Sequence, residues 1–302
     1  RQGANKARVN GSNVRPAELP RYAHVVLFAP EDLTVVRGDP SARRRFADQL
    51  LVQRFPRLAG ILSDYDRVLK QRSALLKSAR ARGIRGDALS TLDVWDEKLV
   101  TLGSEIIDAR EALVRDLREP VIRSYAAIAG ADHNPELSWT LSIRGADPEE
   151  GADEVNGQAD ASASTADLFR AALTAKRAQE LDRALNLVGP HRDDLLLRIR
   201  GLPVKGYASH GESWSVALAL RLASADVLRL DSRAGDPVLI LDDVFAELDA
   251  GRRDRLAGLT AGFEQVIVTA AVESDVPDAL RARTVRIASG RIVDAGVEQI
   301  DV

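Results

Sequence analysis

The stretch Pro237-Val238-Leu239-Ile240-Leu241-Asp242-Asp243 decides the reading of this 302-residue chain. Four apolar residues in a row, opened by a proline and closed by two carboxylates, suit a strand buried on both faces of a parallel sheet. A carboxylate at the carboxyl end of such a strand stands where open α/β sheets bind their ligands. A charge there needs a partner, and Mg²⁺ held through its waters is the usual one. Alternation along the strand sends Asp242 and Asp243 to opposite sides, which makes Asp242 the metal-side carboxylate. Asp243 is then placed to orient or deprotonate an attacking water. Taken alone, the segment reads equally well as a strand ending in an Asp-rich turn.

The flanking segments add order to this strand. Upstream, Ala208-Ser209-His210-Gly211-Glu212 precedes a helical run from Ser213 to Leu230. Ser209 and Glu212 have the S-x-x-E spacing of a capping box, which is the plain structural reading. A helix N-terminus with a small hydroxyl residue and a nearby glycine also makes an anion site. Downstream come the acidic turn Ala246-Glu247-Leu248-Asp249 and then Gln265-Val266-Ile267-Val268-Thr269, another apolar strand, ending in a hydroxyl. Signature helix, Walker B strand, acidic turn and switch strand follow in the order of an ABC-type ATPase head.

The first half of the chain is different. Ala23 to Phe28 reads as a strand, and Asp39-Pro40 as an N-cap with proline at the first helical position. Leu58, Leu62, Tyr65, Leu69, Arg72 and Leu76 form a heptad-like seam flanked by Ile61, Val68 and Leu75. After a Gly-containing turn at 79–86 the pattern resumes as Leu92, Trp95, Leu99, Leu102, Ile106, Ala109 and Leu113. These seams predict an antiparallel helical hairpin with arms of roughly 20–30 residues, about 30–45 Å long. Leu137 to Ile143 alternates as a strand, and so does Leu195 to Ile199. Asp147 to Asp167 holds seven acidic residues and no basic one, which predicts a solvated, disordered loop. Strands alternating with helices predict an α/β layer structure with a largely parallel sheet.

Composition sets the outer bounds. With no cysteine there is no disulfide scaffold, thiolate metal site or cysteine nucleophile, and four scattered histidines offer no zinc site. No apolar run approaches the roughly 20 residues that span a bilayer, so a soluble, cytoplasmic protein without membrane contact is expected. The formal charge of −3 is uneven, residues 1–80 carrying 16 basic and 7 acidic groups. A basic first quarter permits nucleic-acid contact. Arg43, Arg44 and Arg45, with Lys70, Arg72 and Lys77, are candidates for DNA phosphates. The competing reading of these residues is a solvated helix face.

Several segments together resemble the RecF family of SMC-like ABC ATPases. They are Val26-Leu27-Phe28-Ala29-Pro30-Glu31-Asp32-Leu33, Gly38 to Asp48, Tyr65 to Lys77, Gly189-Pro190-His191-Arg192-Asp193-Asp194-Leu195, the Ser209 segment, and Asp242 to Asp249. The resemblance implies an α/β fold, an ABC-type P-loop NTPase head of the SMC kind, with a short antiparallel helical hairpin as its second lobe. Lobe boundaries are expected at 1–38 (head), 39–135 (arm) and 136–302 (head, with the acidic loop at about 147–165). It further implies ATP and Mg²⁺ as cofactors and ATP-dependent homodimerisation on single-stranded or gapped DNA. The expected role, with RecO and RecR, is to place RecA at gaps and to support the SOS response.

Carried over by position, Ser209, Gly211 and Glu212 would touch the γ-phosphate of ATP held by the other subunit. Glu247 and Asp249 fall on the D-loop, Thr269 on the switch position, and Glu31-Asp32 on the Q-loop place without its Gln. Threonine for the usual switch His, and Asp243 for the usual Glu after the Walker B Asp, point to slow hydrolysis. No G-x-x-x-x-G-K-[ST] occurs in the sequence. Together with the absence of Met, this suggests a chain trimmed ahead of Arg1 and inactive as an ATPase on its own. The rival readings are a Rad50-type repair ATPase head and a non-catalytic module that binds DNA or partners. The short hairpin and the lack of a zinc-hook Cys pair oppose the first, and the hairpin also opposes a transporter ATPase.

Overall fold

The computed structural model describes residues 5–83, 90–146, 163–232, 235–281 and 283–295. In chain order the elements are a hairpin of β1 (Ala7–Val9) and β2 (Ser12–Val14), then β3 (Val25–Phe28), α1 (Leu33–Arg37), α2 (Pro40–Arg54), α3 (Leu58–Ala81) and α4 (Ser90–Ala129). They continue with β4 (Glu136–Thr140), α5 (Thr165–Arg183), β5 (Asp194–Ile199), β6 (Leu202–Pro203), the short α6 (Val204–Tyr207) and α7 (His210–Asp231). The last are β7 (Val238–Asp242), α8 (Ala250–Thr260), β8 (Val266–Thr269), β9 (Val285–Ala288) and β10 (Arg291–Ala295).

The 237–243 stretch forms β7, the middle strand of a parallel sheet in the order β3-β7-β8. Register pairs Val26 with Leu239 and Phe28 with Leu241, while Leu27, Ile240 and Ile267 share the opposite face. On the first face, Val26, Phe28, Leu239 and Leu241 are buried beneath Leu218 and Leu222 of α7 and Leu256 of α8. On the second, Val25, Leu27 and Ile267 are exposed. Among the described residues, then, the strand is fully covered on one face only, which corrects the expectation of burial on both.

The largely parallel sheet is also corrected. A second sheet, β4-β5-β6, is antiparallel, with Leu137 opposite Leu197 and Trp139 opposite Leu195. Its strands bury one face and half-expose the other (Leu195, Leu197 and Ile199 in, Leu196 and Arg198 partly out), the alternation that an antiparallel sheet requires. The strand expected over 137–143 stops at Thr140. Beyond it, Ser142 turns inward because its N–H and hydroxyl both donate to the buried Asp193 carboxylate at 2.8 and 2.9 Å.

α7 is apolar around its whole circumference: fourteen of its 22 residues are buried, Trp214 among them. A helix of that composition has to lie inside the protein rather than on it. It is sandwiched between the parallel sheet and the second half of α4, whose Leu113, Leu117, Val121, Tyr125 and Ile128 belong to the same core. The hairpin helices are therefore unequal. α3 has 24 residues and α4 has 40, running through Pro120 without ending, so the expected limit of about 30 is exceeded. Toward the hairpin tip two smaller clusters follow, one around Tyr65, Leu99, Ile107 and Phe169, and one around Leu76, Leu92 and Leu181. The part of the acidic loop at 147–162 lies outside the described residues, as does 84–89 of the hairpin turn; Thr165 already begins α5, capped by Ser164.

Arg72 sits in the hairpin seam with none of its side chain exposed, donating to Asp96 of α4 at 2.6 Å, to Asn186, and to Glu180 of α5. This ties three helices through one guanidinium. Removing the cation leaves the wholly buried Glu180 without a counter-ion, while Asp96 keeps Arg177, a change that costs about 3–5 kcal/mol. Arg72→Leu is therefore expected to lower the urea midpoint by that equivalent. Lys70→Ala and Lys77→Ala, on the exposed side of the same helix, should each stay within about 0.5 kcal/mol of the parent.

Candidate nucleotide and DNA site

Ser209 N-caps α7: its Oγ accepts from the Glu212 N–H at 3.2 Å while the Glu212 carboxylate accepts from the Ser209 N–H at 2.8 Å. The capping box is real, and it leaves the Ser209 hydroxyl hydrogen free to donate outward. Glu212 is fully engaged, because Arg200 Nη2 also donates to it at 2.6 Å. The Ser209 N–H and Arg200 hold its carboxyl down at about 2. Arg200 and Gly201 both have positive φ (53° and 75°), the two-residue turn that joins β5 to β6 and delivers the Arg200 side chain to α7. Sequence reasoning missed Arg200; an Arg-Gly pair between two short apolar runs was the available signal. His210 accepts from the Trp214 indole N–H at 2.9 Å and lies 3.6 Å from Glu247, so the Ser209 segment touches the acidic turn directly.

At the end of β7, Asp242 is exposed and accepts a hydrogen bond from the Thr269 hydroxyl across the β7–β8 pair. Asp243 has left the strand. Its φ is 54°, a left-handed conformation that Asp tolerates, and its N–H donates to the Thr269 carbonyl at 3.1 Å. Strand alternation therefore no longer sets its direction, and the expectation that it points opposite Asp242 loses its basis. Among the described residues no three His, Asp or Glu side chains gather as a metal cage. One exposed carboxylate beside a hydroxyl fits Mg²⁺ that keeps its waters and arrives with phosphates. Asp249 N-caps α8, accepting from the Arg252 N–H at 2.9 Å and from Arg252 Nη1 at 2.8 Å, so both its oxygens are engaged. At the Q-loop place Asp32 is neutralised by Arg221 of α7 at 2.5 Å.

The arginine triplet is divided by the turn of α2. Arg43 is buried and clasps Asp194 with two bonds of 2.7 and 2.8 Å. Arg44 is half-buried, donates to the Asp193 carbonyl at 2.7 Å, and has its pKa lowered by burial and by Arg110. Arg45 is exposed. A DNA phosphate contact is therefore withdrawn for Arg43 and for Arg72, both of which are enclosed and ion-paired. Lys70 and Lys77 stand exposed on one side of α3, seven residues and two turns apart.

The Gly189–Leu195 segment is an internal brace. His191 Nδ1 shares a 2.8 Å hydrogen bond with the Tyr65 hydroxyl, and burial drives its pKa down to about 3. Asp193 is wholly buried and pushed up to about 6 by burial, with its second oxygen unpartnered.

No family model matches the chain. Individual relatives do. It is 61% identical over 301 residues to the DNA replication and repair protein RecF of Clavibacter michiganensis subsp. michiganensis, covering 98% of this chain and 74% of that one. The chain belongs to the RecF family. The RecF protein of Frankia alni is 52% identical over 97% of the chain. Among solved structures, the recombination mediator protein RecF with ATP superposes with a TM-score of 0.76 at 28% identity, covering 97% of this chain and 73% of the other. The fold is thus the ABC-type ATPase head of RecF proteins, with the sheet order and the α3–α4 hairpin described above. No described helix is long and apolar enough to cross a membrane.

The two perturbed groups of the brace act on stability in opposite senses. Asp193, at about 6 in the fold against an ordinary 3.8, contributes stability that is full below its unfolded value and lost as pH rises through about 6. His191, at about 3 against 6.5, contributes stability that is full above its unfolded value and lost as pH falls toward 3. Asp193→Asn deletes only the first effect. Thermal melts from pH 4 to 7 should show the variant gaining on the parent as pH rises; a constant gap would mean that Asp193 is ionised throughout.

Proposed function

We propose that this chain forms the signature-bearing part of an ATP-dependent DNA-binding protein of replication and recombinational gap repair. ATP joins two heads on DNA, and the assembly works with RecO and RecR to place RecA at gaps and to support the SOS response. The observation that carries this reading is the likeness to RecF proteins, 61% identical along 98% of the chain. The supporting geometry is the exposed, capped end of α7. There, backbone N–H groups, the Ser209 hydroxyl and the positive helix end face outward, as a partner's γ-phosphate requires.

In this reading Asp242 holds Mg²⁺ through water, and Thr269, already hydrogen-bonded to Asp242, reports on the phosphate. Asp243 orients the attacking water. Glu247 and Asp249 shape the subunit junction from the D-loop, and Gly211 allows close approach at the signature. Glu212 acts through the cap rather than by touching phosphate, since its oxygens are already engaged. With neither a switch histidine nor a glutamate after Asp242, turnover is slow, and ATP serves more as a clasp than as fuel.

Mixing this chain with the intact Clavibacter relative should give an ATP-dependent heterodimer on gapped duplex DNA, seen by analytical ultracentrifugation. Ser209→Arg, which fills the helix end, should abolish the heterodimer while lowering stability only by the roughly 1 kcal/mol that the lost cap is worth. An undiminished complex in that variant would remove Ser209 from the interface. Separately, Lys70→Ala/Lys77→Ala should lower the slope of log affinity for DNA against log salt by about 2, with stability unchanged. An unaltered slope would leave α3 as a solvated face.

A further inference from the structure

Gly211 and Arg252 lie 41 residues apart in sequence and against each other in the fold. A Cβ built on Gly211 would stand 2.9 Å from Arg252 Nη1, 3.1 Å from Nη2 and 3.3 Å from Cζ, so the guanidinium rests directly on the signature glycine. What holds it there is Asp249. This D-loop carboxylate takes the Arg252 N–H as the α8 cap and Arg252 Nη1 as an ion pair, so one residue fixes both ends of the arginine. Arg252 Nε is buried with no partner, a cost the fold bears only if the guanidinium's position matters.

We infer that Arg252 is a positioning residue that locks the D-loop to the signature segment, so that Asp249 and Ser209 move as one unit. This rests on the proposed function for its purpose but not for its geometry. A head that offers Ser209 to a partner's nucleotide must present the D-loop at the same junction, and a guanidinium lying between them fixes their spacing. The contact needs the planar group. A lysine ammonium has no flat face to lay on a glycine, and it cannot hold Asp249 while covering Gly211. It also gives Gly211 a reason beyond ligand approach: any side chain there evicts the guanidinium.

Hydrogen–deuterium exchange on the 302-residue chain, without nucleotide, tests the lock apart from the function. Arg252→Ala and Arg252→Lys should each speed exchange in both 209–213 and 247–253 by about fivefold, the size of effect expected between coupled neighbours. Gly211→Ala should do the same in the parent and add nothing in the Arg252→Ala background, because the clash is then gone. If Arg252→Ala loosens 247–253 alone, or if Gly211→Ala has its full effect in both backgrounds, Arg252 is only part of the α8 cap and the inference fails. The second readout is ATP-dependent association with the Clavibacter relative. If the exchange result holds while association is unaffected in Arg252→Lys, the lock exists but does not serve the junction. If the parent chain itself shows no ATP-dependent association, the functional reading fails and the lock still stands.

Discussion

Everything in this molecule depends on burying α7 from all sides. A 22-residue helix with fourteen buried residues, five of them Ala 217, 219, 223, 225 or Trp214, cannot be solvated and cannot pack on a single neighbour. It needs a sheet beneath and a helix above, and β3-β7-β8 and the far half of α4 are those two surfaces. Its serines fit because each bonds back within the helix: Ser213 to the Ser209 carbonyl, Ser215 to Gly211 and Ser224 to Leu220, all within 2.7–2.9 Å. The consequence for function is mechanical. A helix buried along most of its length has an N-terminus whose place is set by the core, so the position of the exposed Ser209 follows from the packing of α7.

Arginine does the cross-linking that apolar packing leaves undone. Arg43 joins α2 to β5 through Asp194, Arg72 joins α3 to α4 and α5, and Arg110 joins α4 to α2 through Asp48 while donating to the Pro190 carbonyl. Each reaches two or three acceptors at once, which a planar five-donor group does and an ammonium does not. A buried ion pair is weak evidence of net stabilisation, but a broken one is costly. These ties therefore specify which helices meet more than they add to stability. Within the basic first quarter of the chain, Arg43 and Arg72 belong to this internal framework, while most of the other basic residues there are exposed.

Local signals carried furthest where one residue type had one physical use. The β7 strand, the Ser209 capping box and the heptad seams of α3 and α4 were legible because strand, cap and helix each leave a short-range pattern. Charge was not. Arg43, Arg45, Arg72 and Lys77 look alike in sequence, and only the helix rotation and distant carboxylates such as Asp194 and Glu180 separate tie from surface. Sheet direction was hidden for the same reason: Leu195 to Ile199 is apolar enough for either arrangement, and its partner Glu136–Thr140 lies on the far side of α5. The Asp243 conformation depended on Thr269, 26 residues on, whose carbonyl and hydroxyl turn that peptide out of the strand.

That last bond ties the end of β7 to the end of β8. The Thr269 hydroxyl donates to the Asp242 carboxylate and accepts from the Asp243 backbone N–H, so one side chain holds the carboxylate of the first residue and the peptide of the second. Under the proposed reading, Mg²⁺ carried in with nucleotide would be held at Asp242, whose oxygen now accepts from the Thr269 hydroxyl. The bond from the Asp243 N–H to the Thr269 carbonyl is a backbone bond and would not depend on the metal. The two acidic residues are thus held differently, Asp242 through its side chain and Asp243 through its backbone. That division suits the slow ATP clasp proposed above, since one carboxylate would face the metal while the backbone of the other stays tied to the end of β8.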